Sequence, residues 1–167
     1  SPTVFYPQKL ELFRAVVRAV NGRIPGIANV GDNCTADTVD FAREVAELGV
    51  DGFMCVVPYY NKPPQEGLYR HFKTIADSTD MPIILYNIPA RTGNKLLPET
   101  VQALCRDVEN IVGAKDSSGD IENLKAYIRL TRELDKEVAI LAGNDGAILT
   151  CLKEGGAGGI AGRANIL

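Results

Sequence analysis

Asn110-Ile111-Val112-Gly113-Ala114-Lys115-Asp116-Ser117-Ser118-Gly119-Asp120 runs from a short apolar segment into a loop of small polar residues, with a lysine at the junction. An apolar run of this length that opens into such a loop predicts a buried strand leaving a parallel sheet. Lysines normally occupy solvated faces, because burying the ammonium is costly unless the amine neutralises. An amine neutralised in this way is the nucleophile that Schiff-base chemistry requires. Lys115 is therefore the first candidate catalytic residue.

Outward from this stretch the chain alternates strand and helix. Apolar positions Leu10, Leu12, Phe13, Val16, Val17 and Val20 predict a helix over 9–21, followed by a short strand over 25–30. Thr35 is expected to cap a helix over 36–48 that Gly49 ends. A strand with its exit loop over 51–60, a helix over 65–77 and a strand over 82–87 follow. Next come a helix over 98–106, the quoted strand over 110–115, a helix over 120–134 and a strand over 138–143. A short helix over 146–154 leads to a last strand over 157–161. The pattern gives six strands in one domain, with no linker, charge block or low-complexity segment.

Polar residues gather just after each predicted strand. Asn29 and Asp32 follow the first, Tyr59-Tyr60-Asn61-Lys62 the second, and Tyr86-Asn87 with Arg91-Thr92 the third. Lys115-Asp116-Ser117-Ser118, Asn144-Asp145 and Arg163 with Asn165 follow the rest. In parallel α/β folds that end of the sheet carries the ligand site. An open doubly wound sheet is the structural rival, but no GxGxxG follows a strand and no GxxxxGK[ST] occurs. Gly155-Gly156-Ala157-Gly158-Gly159 precedes a strand and reads as a tight turn. A (β/α)8 barrel is preferred, although six strands do not close one.

Composition narrows the function classes. With 167 residues, 46% hydrophobic and 23% charged, the chain reads as a soluble globular domain. A net charge of -3 gives no general pull toward nucleic acid or anionic membranes. No apolar run approaches the length of a membrane span. Cys34, Cys55, Cys105 and Cys151 form no CxxC pair, which argues against zinc and for a reduced, cytoplasmic setting. Cys55 and Cys151 are expected to be core thiols. His71, the only histidine, lies in a helical stretch beside Phe72 and is expected to be structural or on the surface. No metal, flavin or nucleotide cofactor is expected.

The motifs Pro58-Tyr59-Tyr60-Asn61-Lys62-Pro63, Tyr86-Asn87-Ile88-Pro89-Ala90-Arg91-Thr92-Gly93, Val112-Gly113-Ala114-Lys115-Asp116-Ser117-Ser118-Gly119-Asp120 and Gly143-Asn144-Asp145, with Gly159-Ile160, stand in a telling order. In sequence and spacing the chain resembles the dihydrodipicolinate synthase/N-acetylneuraminate lyase family of class I aldolases. The resemblance implies a (β/α)8 TIM barrel, of which this chain matches strands three to eight. The family's Gly-Thr-Thr-Gly-Glu loop would directly precede Ser1, so strands one and two, and a helical region after strand eight, would fall outside this sequence.

What the resemblance implies for chemistry is specific. Lys115 would form an imine with pyruvate, and Tyr86 would shuttle protons. Tyr60 would complete the relay in a neighbouring copy, which makes a homo-oligomer the expected assembly. Arg91 would grip the carboxylate of aspartate semialdehyde, a match of guanidinium to carboxylate. Gly143 and Ile160 would line the pyruvate end through backbone groups. The implied activity is pyruvate-dependent condensation in lysine biosynthesis. A sugar-acid aldolase of the same family and an inactive fragment are the alternatives. Positions matching the family's lysine-effector site include Ser1, Tyr6, Lys9, Asn33, Asp37 and Tyr59, where a cationic Lys9 predicts weak or absent feedback by lysine.

Overall fold

The computed structural model describes residues 3–166. Six strands form one parallel sheet whose spatial order is the chain order: β1 (Ile27–Asn29), β2 (Gly52–Val56), β3 (Ile83–Asn87), β4 (Ile111–Asp116), β5 (Ala139–Ala142) and β6 (Gly158–Gly159). A doubly wound sheet would reverse that order at a switch point, so sequential order is that of a barrel wall. β1, β2 and β6 are shorter than the apolar runs that predicted them, whereas β4 is offset from its run by a single residue.

Helices return the chain between strands: α1 (Tyr6–Val20), α2 (Thr35–Ala46), α3 (Gln65–Ala76), α4 (Pro89–Thr92), α5 (Pro98–Asp107), α6 (Ile121–Thr131) and α7 (Ile148–Lys153). Their buried residues recur at helical spacing. Phe41, Ala42 and Val45 do so on α2, Leu68, Phe72 and Ile75 on α3, and Leu124, Tyr127 and Ile128 on α6. Gly49, with φ +82°, makes the left-handed turn after α2 that a side chain would strain.

Three local expectations need correction. Thr35 is not the cap of α2: Cys34 holds that position without a side-chain hydrogen bond. The Thr35 hydroxyl instead meets the Nδ1 of His71, a buried residue of α3, at 2.8 Å, since a hydroxyl at a helix start can serve a side chain in place of the backbone. The four-residue helix α4 has no counterpart in the expected pattern; Pro89 starts it and Gly93, with φ +69°, ends it. The helix expected over 146–154 begins instead as a 3₁₀ turn over Asp145–Ala147.

Side chains alternate between the two faces of the sheet. The outward face packs under the helices: Ala28, Phe53, Cys55, Ile83, Leu85, Ala114, Ile140 and Ala142 are all buried. The inward face carries Ile27, Met54, Val56, Tyr86, Ala139 and Leu141, each half-buried or exposed. Cys55 and Cys151 lie in the core as expected, and burial pushes the Cys55 thiol up to about 12. Among the described residues no helix is long and apolar enough to cross a membrane.

Candidate active site

Lys115 is the fifth residue of β4 and points to the inward face. Cross-strand register sets it beside Tyr86 of β3 on one flank and Leu141 of β5 on the other. Its ammonium stands 4.3 Å from the centre of the Tyr86 ring. The side chain is 9% exposed, and among the described residues its nitrogen has no hydrogen-bond or ion-pair partner. Desolvation by this burial holds the amine below the ordinary lysine range. A strand-end lysine without an acceptor among the described residues thus gives up its proton more readily than an ordinary lysine.

The space in front of Lys115 is kept by Gly143. A Cβ at that position would fall 1.8 Å from Ser117 Oγ and 2.9 Å from Lys115 Cε. Its N–H is committed to the Asp116 carbonyl at 2.8 Å, and the Ile160 N–H to the Ala142 carbonyl at 2.9 Å. What these two residues can still offer a ligand are their carbonyl oxygens.

Tyr86 and Arg91 share a cavity of about 250 Å³ with Lys9, Asn29, Asp32, Val56 and Tyr59. Arg91 reaches it from α4, so its guanidinium is exposed at the mouth. The buried Asn29 Oδ1 has no hydrogen-bond donor among the described residues and is an acceptor left over for a ligand. Lys9 pairs with Asp32 at 3.7 Å, and Asp32 also accepts a hydrogen bond from the Tyr59 hydroxyl at 2.7 Å. Burial and that hydrogen bond push the Tyr59 phenol up to about 12. A separate hollow of about 110 Å³ beneath α1 is lined mainly by apolar residues, with Asp51 as its one charged side chain among the described residues.

Two expected site residues stand apart from this group. Tyr60 is 88% exposed at a left-handed φ of +75° and does not line the cavity. Ile160 lies past β6 and, like Lys115 and Gly143, is not among the residues that line the cavity, which reaches the lysine only through its neighbour Tyr86. Ser1, one of the positions matched to effector binding, lies outside the described residues. Conversely, the structure adds Asn123 of α6, which donates to Asp116 at 3.3 Å from behind the strand. Its signal in sequence was an asparagine on the apolar face of a helix, in line with Tyr127.

The family model for the dihydrodipicolinate synthetase family matches residues 1–167. The chain belongs to that family. A 4-hydroxy-tetrahydrodipicolinate synthase of Bacillus subtilis (strain 168) is 44% identical over 158 residues, covering 95% of this chain and 53% of the relative. The structure of the 4-hydroxy-tetrahydrodipicolinate synthase from the methanotroph Methylacidiphilum fumariolicum SolV superposes with a TM-score of 0.93 at 39% identity, covering 99% of this chain and 54% of that one. The chloride-inhibited dihydrodipicolinate synthase from Acinetobacter baumannii, complexed with pyruvate, superposes with a TM-score of 0.91 at 38% identity, covering 99% and 55%. This member of the dihydrodipicolinate synthetase family spans about half the length of the curated relatives it matches. Its six sequential strands are a curled half-barrel, an arc of the TIM barrel.

Proposed function

We propose that this chain carries the Schiff-base site of a pyruvate-dependent carbon–carbon synthase of the 4-hydroxy-tetrahydrodipicolinate type. The observation that carries the reading is Lys115: buried, unpaired, held below the ordinary lysine range, and set beside a tyrosine on the inward face. The Acinetobacter relative's complex with pyruvate supports the choice of keto acid.

In this reading the neutral Lys115 amine attacks the ketone carbon of pyruvate. A carbon–nitrogen bond forms, the carbonyl oxygen leaves as water after taking up two protons, and a protonated imine remains. The imine acidifies the pyruvate methyl group, whose loss of a proton gives an enamine that attacks an aldehyde. Tyr86 donates and accepts the protons in turn, as a phenol can. Arg91, at the cavity mouth, holds the carboxylate of aspartate semialdehyde, and Asn29 Oδ1 is an acceptor for its amino group. Tyr60 serves a neighbouring copy, which accounts for its exposed and strained position and makes the working form a homo-oligomer. Four free cysteines suit a cytoplasmic enzyme.

Lys9 already places an ammonium at Asp32, which supports weak or absent inhibition by lysine. Titrating lysine into an activity assay should leave the rate nearly unchanged at concentrations that saturate a sensitive enzyme.

The decisive experiment is intact-mass spectrometry with peptide mapping, before and after treatment with pyruvate and borohydride. A reduced pyruvate adduct on Lys115 is the expected result. Its absence on a folded chain would rule out imine formation by this polypeptide. Aspartate semialdehyde and sugar acids, offered in turn to the pyruvate-loaded protein, then identify the aldehyde partner.

A further inference from the structure

We propose that Asn87 and Asp116 are positioning residues for Lys115 and Tyr86, acting from the opposite side of the sheet; this rests on the Schiff-base reading above. Tyr86 pairs with Lys115, and the next step of the same register pairs Asn87 with Asp116. Because faces alternate, Tyr86 and Lys115 project inward, whereas Asn87 and Asp116 project into the helix layer. There the neighbours along the strands are Leu85 and Ala114, and an amide and a carboxylate are costly to bury unless every polar atom is satisfied.

They are satisfied. Asn87 Nδ2 donates to Asp116 Oδ1 at 2.8 Å, and Asn87 Oδ1 accepts the Leu96 N–H at 3.0 Å. Asp116 accepts further bonds from the Ser118 N–H at 3.2 Å, the Ser118 hydroxyl at 2.8 Å and Asn123 Nδ2 at 3.3 Å. The backbone carbonyls of the pair extend the lock. Asn87 accepts the Ser117 N–H and Asp116 the Gly143 N–H, each at 2.8 Å. One buried pair thus ties together β3, β4, the loop after Lys115, α6 and the residue that clears space for the lysine.

The need for such a lock is visible at the other end of the same strands. The register of β3 on β4 shifts between Ile83, which faces Ile111, and Ile84, which faces Gly113. Val112 is the extra residue of this bulge. Without the bulge, Tyr86 would face Ala114, and Lys115 would turn into the helix layer. Valine, glycine and alanine around the bulge discriminate weakly between the two registers. The Asn87–Asp116 hydrogen bond exists only in the register that presents Lys115 inward.

Asn110 supplies a matched control. Its Nδ2 donates to the carbonyls of Ala76, Thr79 and Met81 at 3.0, 2.7 and 3.3 Å, at the end of the sheet away from Lys115. Two readouts are taken per folded molecule on the unaltered chain, Asn87→Ala and Asn110→Ala. One is the rate of borohydride-trapped pyruvate adduct on Lys115, and the other is the pH profile of Lys115 acetylation, which needs no pyruvate. Asn87→Ala should slow trapping by about ten- to a hundredfold, as small misplacement of a reacting group does. It should also move the acetylation profile of Lys115 toward that of an ordinary lysine. Asn110→Ala should lower stability and leave both readouts unchanged.

Should Asn87→Ala not fold, Asn87→Asp places two carboxyl groups together, and its trapping deficit should shrink as acid lets the new carboxyl donate to Asp116. Equal trapping and equal profiles for Asn87→Ala and the unaltered chain, or an Asn87→Asp deficit indifferent to pH, would overturn the positioning role. If the unaltered chain forms no adduct, the Schiff-base reading falls, and the acetylation profiles alone decide whether the pair positions Lys115.

Discussion

Lys115 and Lys136 sit at opposite ends of one sheet and lead opposite lives. At the end where the strands finish, Lys115 keeps its ammonium free of any acceptor among the described residues. At the end where they begin, Lys136 donates to the carbonyls of Cys105, Val108, Glu109 and Ile111 at 3.2, 3.0, 2.6 and 2.8 Å. Burial lowers the pKa of both. The difference is in the partners. Lys136 closes the carbonyl end of α5 onto the start of β4, the favourable place for a cation on a helix. Lys115 is left without an acceptor among the described residues, as the proposed nucleophile requires. Burial alone does not mark a reactive lysine; burial without acceptors does.

The sharpest way to break the comparison is Lys115→Met. Trapped adduct should vanish entirely while the fold persists, and thermal unfolding should occur at an equal or higher temperature. The folded pKa of Lys115 is lowered, so between its folded and unfolded values the folded state binds fewer protons than the unfolded one, and the stability lost as pH falls through that window stays lost below it. Methionine removes that penalty. A retained adduct, or a marked fall in melting temperature, would contradict the assignment.

A third buried base tests the same idea in a different residue. His71 Nδ1 meets the Thr35 hydroxyl, but Nε2 is buried without a partner among the described residues, and burial lowers the imidazole from 6.5 to about 4. The folded state therefore resists a proton that the unfolded chain accepts. Stability is full above pH 6.5 and falls as pH drops, by about 3 kcal/mol at pH 4. Urea unfolding at pH 7 and pH 4 should show this slope, and His71→Leu should flatten it relative to the unaltered chain.

Lys136→Met should cost about 2 kcal/mol, since several carbonyls lose a charged donor. Denaturant midpoints measure the loss, while adduct formation per folded molecule should not change. The smallest effect is expected from Gly143→Ala. Ser117 can rotate away from the new methyl group, but Lys115 Cε must also give way, so trapping should slow by about tenfold, or about 1.4 kcal/mol in the barrier.

Much of the architecture was legible because it follows from short-range periodicity. Six apolar runs became six strands, and the helical spacing of Leu68, Phe72 and Ile75 became a buried face. Polar residues after each run pointed to one end of the sheet, where Tyr86, Lys115 and Gly143 do meet. Thr35 misled because a hydroxyl one residue into a helix can serve either the backbone or a side chain, and His71 was the better partner. Tyr60 was readable as a motif residue, but its outward, strained backbone was not. Lys136 sits in Leu134-Asp135-Lys136-Glu137, whose composition is that of any solvated turn. Its four carbonyl partners come from residues at least 25 positions away.

By itself the sequence determined a parallel α/β chain, the end of the sheet where the polar residues gather, and the lysine proposed as its nucleophile, because alternation and loop composition are local properties. Only the tertiary structure decided which way Lys115 faces. That choice depends on a bulge at Val112 and a buried hydrogen bond between Asn87 and Asp116, 29 residues apart. A one-residue change of register reverses every side chain on a strand, and local sequence does not record which register the neighbouring strand enforces.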